Sequence, residues 1–328
     1  SRILDAFVFH DFTMAGNQAS VRFGRQVVSW GESTFIQGGI NAINPVDVSK
    51  LRVAGAELKQ AFLPVNMLWG SYNFTDDFSA EAFYLLDFQK TDPDPVGAFF
   101  STNDFAVIGG SYVMLNFGTV PQPVINPDLY EEVCVDGNFA ASDSGLPATL
   151  VAAGCSAAFP RSKTREAGDS GQGGIALRYF AESLNNTAMN YHSRVPLISG
   201  IAVTNTAPSS GSFFTEYPED IHLFGVSFNT SLEASGIALQ GELSYRPNQP
   251  FQVDDVELLF AGLSPLNAVI PQPYLQFRSQ LGNYAPGEEI RGYERHKIAQ
   301  LQFTATKVFG PGNWLGADQI ALVGESGF

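Results

Sequence analysis

The chain has 328 residues, and 33 Asp and Glu against 18 Lys and Arg give it a net charge of −15. This charge argues against a nucleic-acid partner, because phosphates are bound by Lys and Arg. Hydrophobic residues make up 45 % of the chain at a mean hydropathy of zero. No stretch approaches the roughly 18 consecutive apolar residues that a membrane-spanning helix needs, so the composition excludes a helical membrane protein and favours one large β unit.

Taken in chain order, ten segments show the alternation of apolar and polar residues that is typical of strands. In 235–246, for example, one face carries Ile237, Leu239, Leu243 and Tyr245, and the other carries Gln240, Glu242, Ser244 and Arg246. The predicted strands are Arg2–Met14, Ala19–Trp30, Ala61–Phe74, Phe78–Lys90, Gly173–Ala181, Thr187–Val195, Asp220–Ser231, Ser235–Arg246, Arg295–Val308 and Ala317–Val323.

The connections between these strands alternate strictly between short and long. Five tight turns lie near residues 15–18, 75–77, 183–186, 232–234 and 310–314, and four excursions separate them, at 31–60, 91–172, 196–219 and 247–293. All tight turns therefore belong at one end of the sheet and all excursions at the other. This segregation predicts an all-β fold, a transmembrane antiparallel β-barrel of at least ten strands with long extracellular loops, whereas a soluble β-sandwich gives no reason for it.

Two excursions carry further signals. Residues 31–60, called the insert below, contain Asn44 followed by Pro45, which predicts the start of a short helix. The insert either folds into the barrel as a hatch or constriction, or caps its mouth as a surface loop. Residues 91–172 contain the two cysteines, Cys134 and Cys155, and predict an extracellular loop tied by a disulfide of an oxidising compartment.

No set of residues predicts an enzyme. Residues 168–171 resemble the nucleophile loop of trypsin-like serine proteases, but none of the four histidines has the surroundings that this family uses. No two histidines lie at metal-ligand spacing, and no phosphate-binding or dinucleotide-binding motif occurs. We therefore expect no catalytic residue, no metal and no cofactor.

The candidate site residues are those of a passage. Polar side chains on the wet strand faces and in the insert predict the lumen and its gate: Arg22, Gln26, Glu32, Asn44, Asp47, Lys50, Glu81, Arg178, Glu182, Glu242 and Arg246. Apolar side chains of the insert and of the greasy stretch at 256–274 predict contacts to a hydrophobic ligand: Phe35, Ile40, Leu258, Phe260 and Leu263.

Several longer motifs resemble a proteobacterial outer-membrane barrel family known only as a domain of unknown function: 24–33 (GRQVVSWGES), 44–51 (NPVDVSKL), 100–105 (FSTNDF), 169–172 (DSGQ) and 190–194 (NYHSR). The resemblance extends over the whole chain. Members of that family are longer at both ends, which implies that this chain is an internal fragment. The resemblance also implies that the gene for this chain lies beside genes for a periplasmic protein of lipoprotein-carrier type and an RND-type (MMPL-like) exporter.

These observations predict a non-enzymatic protein of the bacterial outer membrane that passes lipids or other hydrophobic molecules. Its expected partners are outer-membrane lipid and lipopolysaccharide, the carrier-type protein, the exporter and a hydrophobic small molecule. A general polar porin, or a plugged barrel with a structural or lipid-modifying role, remains the alternative.

Overall fold

A computed structural model of the chain describes residues 5–32, 36, 38–53, 61–101, 104, 105, 107, 109–114, 129, 131–142, 145–156, 158–181, 184–192, 197–203, 211–268 and 277–328. Ten strands form one antiparallel sheet: β1 (Ala6–Met14), β2 (Asn17–Gln26), β3 (Val65–Asn73), β4 (Phe78–Leu85), β7 (Gly173–Ala181), β8 (Leu184–His192), β11 (His222–Leu232), β12 (Ile237–Gln252), β13 (Tyr293–Phe309) and β14 (Ile320–Gly327).

Each strand of this sheet pairs with its predecessor and successor among the ten, in the order β1-β2-β3-β4-β7-β8-β11-β12-β13-β14. The predicted fold class is confirmed, since the ten predicted segments are these ten strands and the sheet is an antiparallel meander. The four excursions leave from one end of the sheet, and the tight turns close the other. Among the described residues no helix has both the length and the apolar content to cross a bilayer.

The sheet curls around the insert. The Ile36 amide donates to Glu325 on β14, while the Asn44 side chain donates to the Gln26 carbonyl at the end of β2. In a flat sheet, β2 and β14 would lie about 38 Å apart at the usual strand spacing. The insert residues that reach them are separated by a chain of about 27 Å when fully extended. Both contacts therefore require a concave sheet whose inner face surrounds the insert.

The outer face of the sheet is apolar and the inner face is polar on β11–β13, the reverse of a water-soluble protein. On the inner face, Glu242 and Gln302 are 2 % and 1 % exposed, whereas Ile175 on the outer face is 61 % exposed. The inner face also buries Ser227, Ser244, Arg246 and Thr304, and the outer face exposes Phe23, Leu68, Tyr84, Leu177, Tyr179, Phe224, Val226, Leu243, Tyr245, Leu301 and Leu322. This is the side-chain pattern of a barrel wall in lipid.

Strand ends differ from the sequence predictions where polarity alone sets no boundary. β12 continues through Pro250 to Gln252 after a register shift between Arg246 and Gln249, and β13 begins at Tyr293. The last strand was predicted to stop at Val323. In the structure β14 runs to Gly327, because Glu325 and Ser326 keep their pairing with Thr304 and Phe303 despite the glycines on either side.

The described residues of three long excursions, within 91–172, 196–219 and 253–292, form small elements and apolar clusters that we call the cover. Its strands are β5 (Tyr112–Met114), β6 (Ala158–Pro160), β9 (Leu197–Val203) and β10 (Gly211–Glu216), and its α-helices are α1 (Ala148–Ser156) and α2 (Asp255–Leu263). The β9–β10 hairpin and both helices were missed by the sequence prediction. Asp254 caps α2 by accepting hydrogen bonds from the amides of Val256 and Glu257.

Two apolar clusters organise the cover. One joins β6, β10 and α2 through Phe159, Phe213, Leu258 and Leu263, with Ile290 from the chain before β13. The other lies around Val133, Val151 and Ala158, where Cys134 and Cys155 form the predicted disulfide. The described part of the excursion 91–172 therefore contains packed structure around the disulfide.

The helix start predicted at Asn44 and Pro45 differs from the structure. Val46 and Asp47 form isolated bridges to Phe62 and Asp92, and a single 3-10 turn follows at Lys50–Arg52. The Asn-Pro pair satisfies the local rule for a helix start, but the Asn44 side chain is used by neighbouring strand ends instead. Residues 54–60 lie outside the described part of the chain.

Candidate functional site

Residues 31, 32, 36 and 38–43 of the insert lie against the inner face of the sheet, and half of their seat is apolar. Ile40 and Ile43 are fully buried in a cluster with Val28 and Trp30, which precede the insert. The wall residues of this cluster come from β3, β4, β7 and β11: Val65, Met67, Trp69, Phe83, Leu85, Ala176 and Leu223. A Cβ on Gly225 would lie 2.6 Å from Ile40 Cγ1, so this glycine makes room for the isoleucine.

The other half of the seat is polar and is dominated by two side chains of β12. The carboxylate of Glu242 accepts hydrogen bonds from the amides of Glu32 (2.8 Å) and Ile40 (3.0 Å). The guanidinium of Arg246 donates to the carbonyls of Gly38 (2.6 Å) and Gly39 (2.7 Å). Both side chains are buried. One acid and one base therefore hold both the donors and the acceptors of the insert backbone.

Two glycines allow this close approach. A Cβ on Gly39 would lie 1.6 Å from Glu242 Oε1, a distance that no side chain can occupy. Gly38 has a φ of +93°, which favours glycine, and a Cβ there would lie 2.6 Å from Gln300 Oε1. The Gly38-Gly39 pair was not among the predicted site residues, although a Gly-Gly step inside an otherwise apolar segment signals close backbone contact.

Two further carboxylates of the wall complete the seat. Glu325 on β14 accepts from the Ile36 amide at 2.8 Å, and Glu81 on β4 accepts from the Trp30 indole N–H at 2.7 Å. Glu81 also pairs with Arg178 at 3.2 Å. Burial raises the pKa of Glu32, and a hydrogen bond from Asn229 at 3.3 Å opposes this shift. Polar groups from four wall strands thus hold the insert and the residue before it.

Asn44 binds the insert to the chain segments on either side of it, near Gln26 and Leu63. Its side-chain oxygen accepts from the Val28 amide at 2.8 Å, and its side-chain nitrogen donates to the carbonyls of Gln26 (3.1 Å) and Leu63 (3.0 Å). Gln26 is 1 % exposed and donates its own side-chain amide to the Met67 carbonyl. Both residues were predicted to line the lumen; in the structure they join the chain that leaves β2 to the chain that enters β3.

The remaining predicted gate residues are more dispersed. Arg22 lies on the inner face, with its guanidinium 4.5 Å from the centre of a Trp69 ring. Asp47 accepts from the Ser49 amide at 3.1 Å and belongs to the bridge beside Asp92, and Lys50 is exposed. Glu182 lies outside the described residues.

The predicted contacts to a hydrophobic ligand fall in two separate places. Ile40 occupies the apolar half of the seat, whereas Leu258 and Leu263 are buried in the α2 cluster of the cover, with Phe260 partly buried beside them. Phe35 lies outside the described residues. The described part of the greasy stretch, 256–268, is therefore packed mainly against the cover itself, and a ligand-contact role for these side chains stays a prediction.

Two buried polar side chains of the seat were missed by the sequence reading. Ser227, Glu242 and Gln302 lie directly opposite one another on β11, β12 and β13. Within the described part of the chain, the Ser227 hydroxyl and both amide atoms of Gln302 have no hydrogen-bond partner, although each residue is 1 % exposed. Cross-strand register is the signal that would have found them. The described residues hold no group of three or more acidic, His or Cys side chains able to bind a metal.

Comparison with known proteins places this arrangement in context. No curated protein matches the chain. Among solved structures, Pseudomonas putida OprB at high pH matches at 12 % identity and a TM-score of 0.25, over 100 % of this chain and 73 % of that one. The Pseudomonas putida toluene transporter TodX matches at 8 % identity and a TM-score of 0.23, over 94 % and 64 %. The family model described as "Protein of unknown function (DUF1302)" matches residues 1–328, so the chain belongs to that family.

Proposed function

We propose that this chain forms the wall of an outer-membrane channel that passes lipids or other hydrophobic molecules, and that the insert closes its lumen. The observation that carries the proposal is the seating of the insert: residues 36 and 38–44 cross the concave face of the sheet and bind to strands on both sides of it. A segment in this position blocks passage along the inner face.

The outer face supports a location in a membrane. Its exposed side chains are apolar along most of the wall, as lipid contact requires. Aromatic residues gather on this face near the tight turns, where Phe74 stacks on Phe78 and contacts Tyr72. Lys307, also on this face, reaches the carbonyl of Ser235 in the turn between β11 and β12. Aromatic rings and a lysine that extends towards water are typical of the headgroup level.

The chemistry of the seat supports a gate that opens. A permanent core buries polar groups with their partners, because each unsatisfied group costs about 1–3 kcal/mol. The seated insert leaves Ser227 and Gln302 without partners among the described residues. Withdrawal of the insert admits water to these groups and offsets part of the cost of separating Ile40 from its apolar socket.

A polar porin is the second candidate, and the polar half of the inner face favours it. Strands β11–β13 present a continuous hydrogen-bonding surface, formed by Ser227, Glu242, Ser244, Gln302 and Thr304. A water-filled pore lined by such residues passes polar solutes. The apolar half of the seat, with Met67, Trp69, Phe83 and Leu223, is the feature that such a pore does not explain.

We extend the proposal to partners. Outer-membrane lipid surrounds the wall, and lipopolysaccharide lies beside the cover. The resemblance to a barrel family encoded beside a lipoprotein-carrier-type protein and an RND-type exporter supports these two proteins as periplasmic partners. They would deliver or receive the hydrophobic cargo at the end of the barrel that carries the tight turns.

Single-channel recording in planar bilayers tests the gate and separates the two candidates. Deletion of residues 40–51 raises conductance if the insert closes the lumen, and an unchanged trace contradicts the proposal. A polar porin shows large steady steps with the insert in place, whereas a conduit for hydrophobic molecules shows little current until the insert is removed. A boiled against unboiled gel shift verifies that each variant still forms a barrel.

A further inference from the structure

The insert occupies its seat as a ligand would. Arg246 donates to two carbonyl oxygens of adjacent peptides, Gly38 and Gly39, in the fork that a guanidinium uses to bind a pair of ligand oxygens. Glu242, four residues away on the same face of β12, accepts from two N–H groups. Ile40 follows immediately and fills an apolar socket opposite Gly225 and Leu223. The backbone of Gly38–Ile40 thus supplies hydrogen-bond acceptors and donors, and the apolar side chain of Ile40 is attached directly to it.

The charges of this seat select one kind of head group. Glu242 and Arg246 both contact the stretch Gly39–Ile40, and their charges are opposite, so an ionised carboxylate or phosphate on the Arg246 fork would meet the Glu242 carboxylate close by. A neutral head with hydroxyl groups supplies acceptors to Arg246 and donors to Glu242 without this repulsion. The net charge of −15 further disfavours anionic ligands in general.

Unsatisfied groups beside the seat are available to the same ligand. Ser227 and Gln302 flank Glu242 in the cross-strand row, and their side-chain polar atoms have no partner within the described residues. Hydroxyl groups can both donate to and accept from a carboxamide and a serine. A ligand rich in hydroxyls would therefore satisfy wall groups that the insert backbone leaves unpaired.

We infer that the seat of the insert is a binding site for a neutral amphiphile, with a polyol head on Glu242, Arg246, Gln302 and Ser227 and an apolar body in the socket of Ile40. The insert and the cargo compete for this site, so arrival of cargo displaces the gate. The inference rests on the proposed function and names the class of molecule that passes.

Quenching of tryptophan fluorescence by brominated amphiphiles tests the inference. Trp30 and Trp69 lie in the buried cluster of the seat, and Trp314 in the turn before β14 is exposed, so W314F removes the background signal. The protein in nanodiscs is titrated with three probes that share one acyl chain: dibromostearoyl glycerol, dibromostearate and its methyl ester. We expect the glycerol ester to quench at concentrations at least about tenfold lower than the other two, as hydrogen bonds to charged groups imply.

Variants identify the site. I40A weakens the insert as a competitor and keeps the polar groups of the seat, so we expect a lower quenching midpoint for the glycerol ester. R246Q added to I40A removes the guanidinium, so we expect the midpoint to rise again by about tenfold or more. R295Q is the matched control, because Arg295 also donates to two backbone carbonyls, those of Glu219 and Asn248, but is exposed near the start of β13. It leaves the midpoint unchanged.

Two results would overturn the inference: equal midpoints for the three probes, or a midpoint in I40A that R246Q does not change. Tightest quenching by the anionic dibromostearate would overturn the neutral head. The channel proposal fails separately, since it depends on conductance after deletion of residues 40–51 and not on which amphiphile binds.

Discussion

Glu242 and Arg246 lie four residues apart on the inner face of β12 and hold the same short stretch of backbone from its two chemical sides. The carboxylate accepts hydrogen bonds from the amides of Glu32 and Ile40, and the guanidinium donates hydrogen bonds to the carbonyls of Gly38 and Gly39. Neither contact depends on insert side chains. The seat therefore binds the backbone of the insert and not its side chains at these positions. The glycines at 38 and 39 allow this backbone to come close enough to β12.

E242Q weakens the seating of the insert. Glutamine keeps one acceptor oxygen but directs an NH2 group at one of the two amides, and loss of a charge-assisted hydrogen bond costs about 1.5–3 kcal/mol. We expect hydrogen exchange of the Ile40 amide to accelerate about 10–100-fold, with larger open-channel current. E233Q, in the exposed turn after β11, is the control. Unchanged exchange at Ile40 would show that Glu242 does not hold the insert.

G39A displaces the insert by steric conflict alone. The new methyl group would lie 1.6 Å from Glu242 Oε1, so either the carboxylate or the insert must move. We expect a conductance increase as large as that of E242Q while the barrel still migrates as a folded species on unboiled gels. G310A is the control, since nothing lies within 4 Å of a Cβ at that position. A G39A channel that stays closed would refute the close approach.

N44D tests the root of the insert. Aspartate still accepts from the Val28 amide but cannot donate to the Gln26 and Leu63 carbonyls, which become unsatisfied in a buried site. We expect a loss of about 2–4 kcal/mol, measured as a lower temperature of the gel-shift transition. N313A removes four hydrogen bonds, against the two lost in N44D, from the turn before β14, where water replaces them, and it shifts the transition less. Equal shifts would contradict the burial argument.

Removal of the disulfide affects the cover and spares the wall. Cys134 and Cys155 are 21 residues apart in the chain, and a loop of this size is stabilised by about 3 kcal/mol. We expect C134S/C155S to increase protease cleavage around residues 131–156 with no change in the heat-modified gel shift. A lower wall transition in this variant would mean that cover and wall unfold as one unit.

The buried phenol of Tyr217 makes the stability of the cover depend on pH in the alkaline range. Burial raises the pKa of its phenol to about 12 from 10.0, so the neutral form is favoured in the folded cover. Its contribution to stability is complete below pH 10 and is lost as pH rises from 10 towards 12. The difference between wild type and Y217F in absorbance at the tyrosinate band should therefore titrate near pH 12. A midpoint near 10 would show that the phenol is hydrated.

Much of the wall was predictable because strand signals are local. Alternation of polarity sets which residues of β11, β12 and β13 share a face, and the spacing of short turns sets the meander, as the order of the ten strands confirms. The disulfide was predictable for a related reason, since both cysteines fall in one excursion.

The cover was less accessible. The packing of α2 depends on apolar contacts with Phe159 and Phe213, which belong to other excursions, although its start at Asp254 follows the local rule for a helix cap. Asn44 shows the same limit on a smaller scale: the pattern of a helix cap is present, but the donors and acceptors that capture its side chain belong to Gln26, Val28 and Leu63.

The sequence by itself determined the alternation, the ten strands, the polar inner face of β11–β13 and the separation of short from long connections, because each of these follows from residues that are close together in the chain. Only the tertiary structure decided that the insert lies on Glu242 and Arg246, that Ser227 and Gln302 are buried without partners among the described residues, and that the greasy residues of α2 fill the cover. The reason is physical: these contacts join residues that are distant in the chain, such as Ile40 and Glu242 at a separation of 202, and sheet curvature and register bring them together.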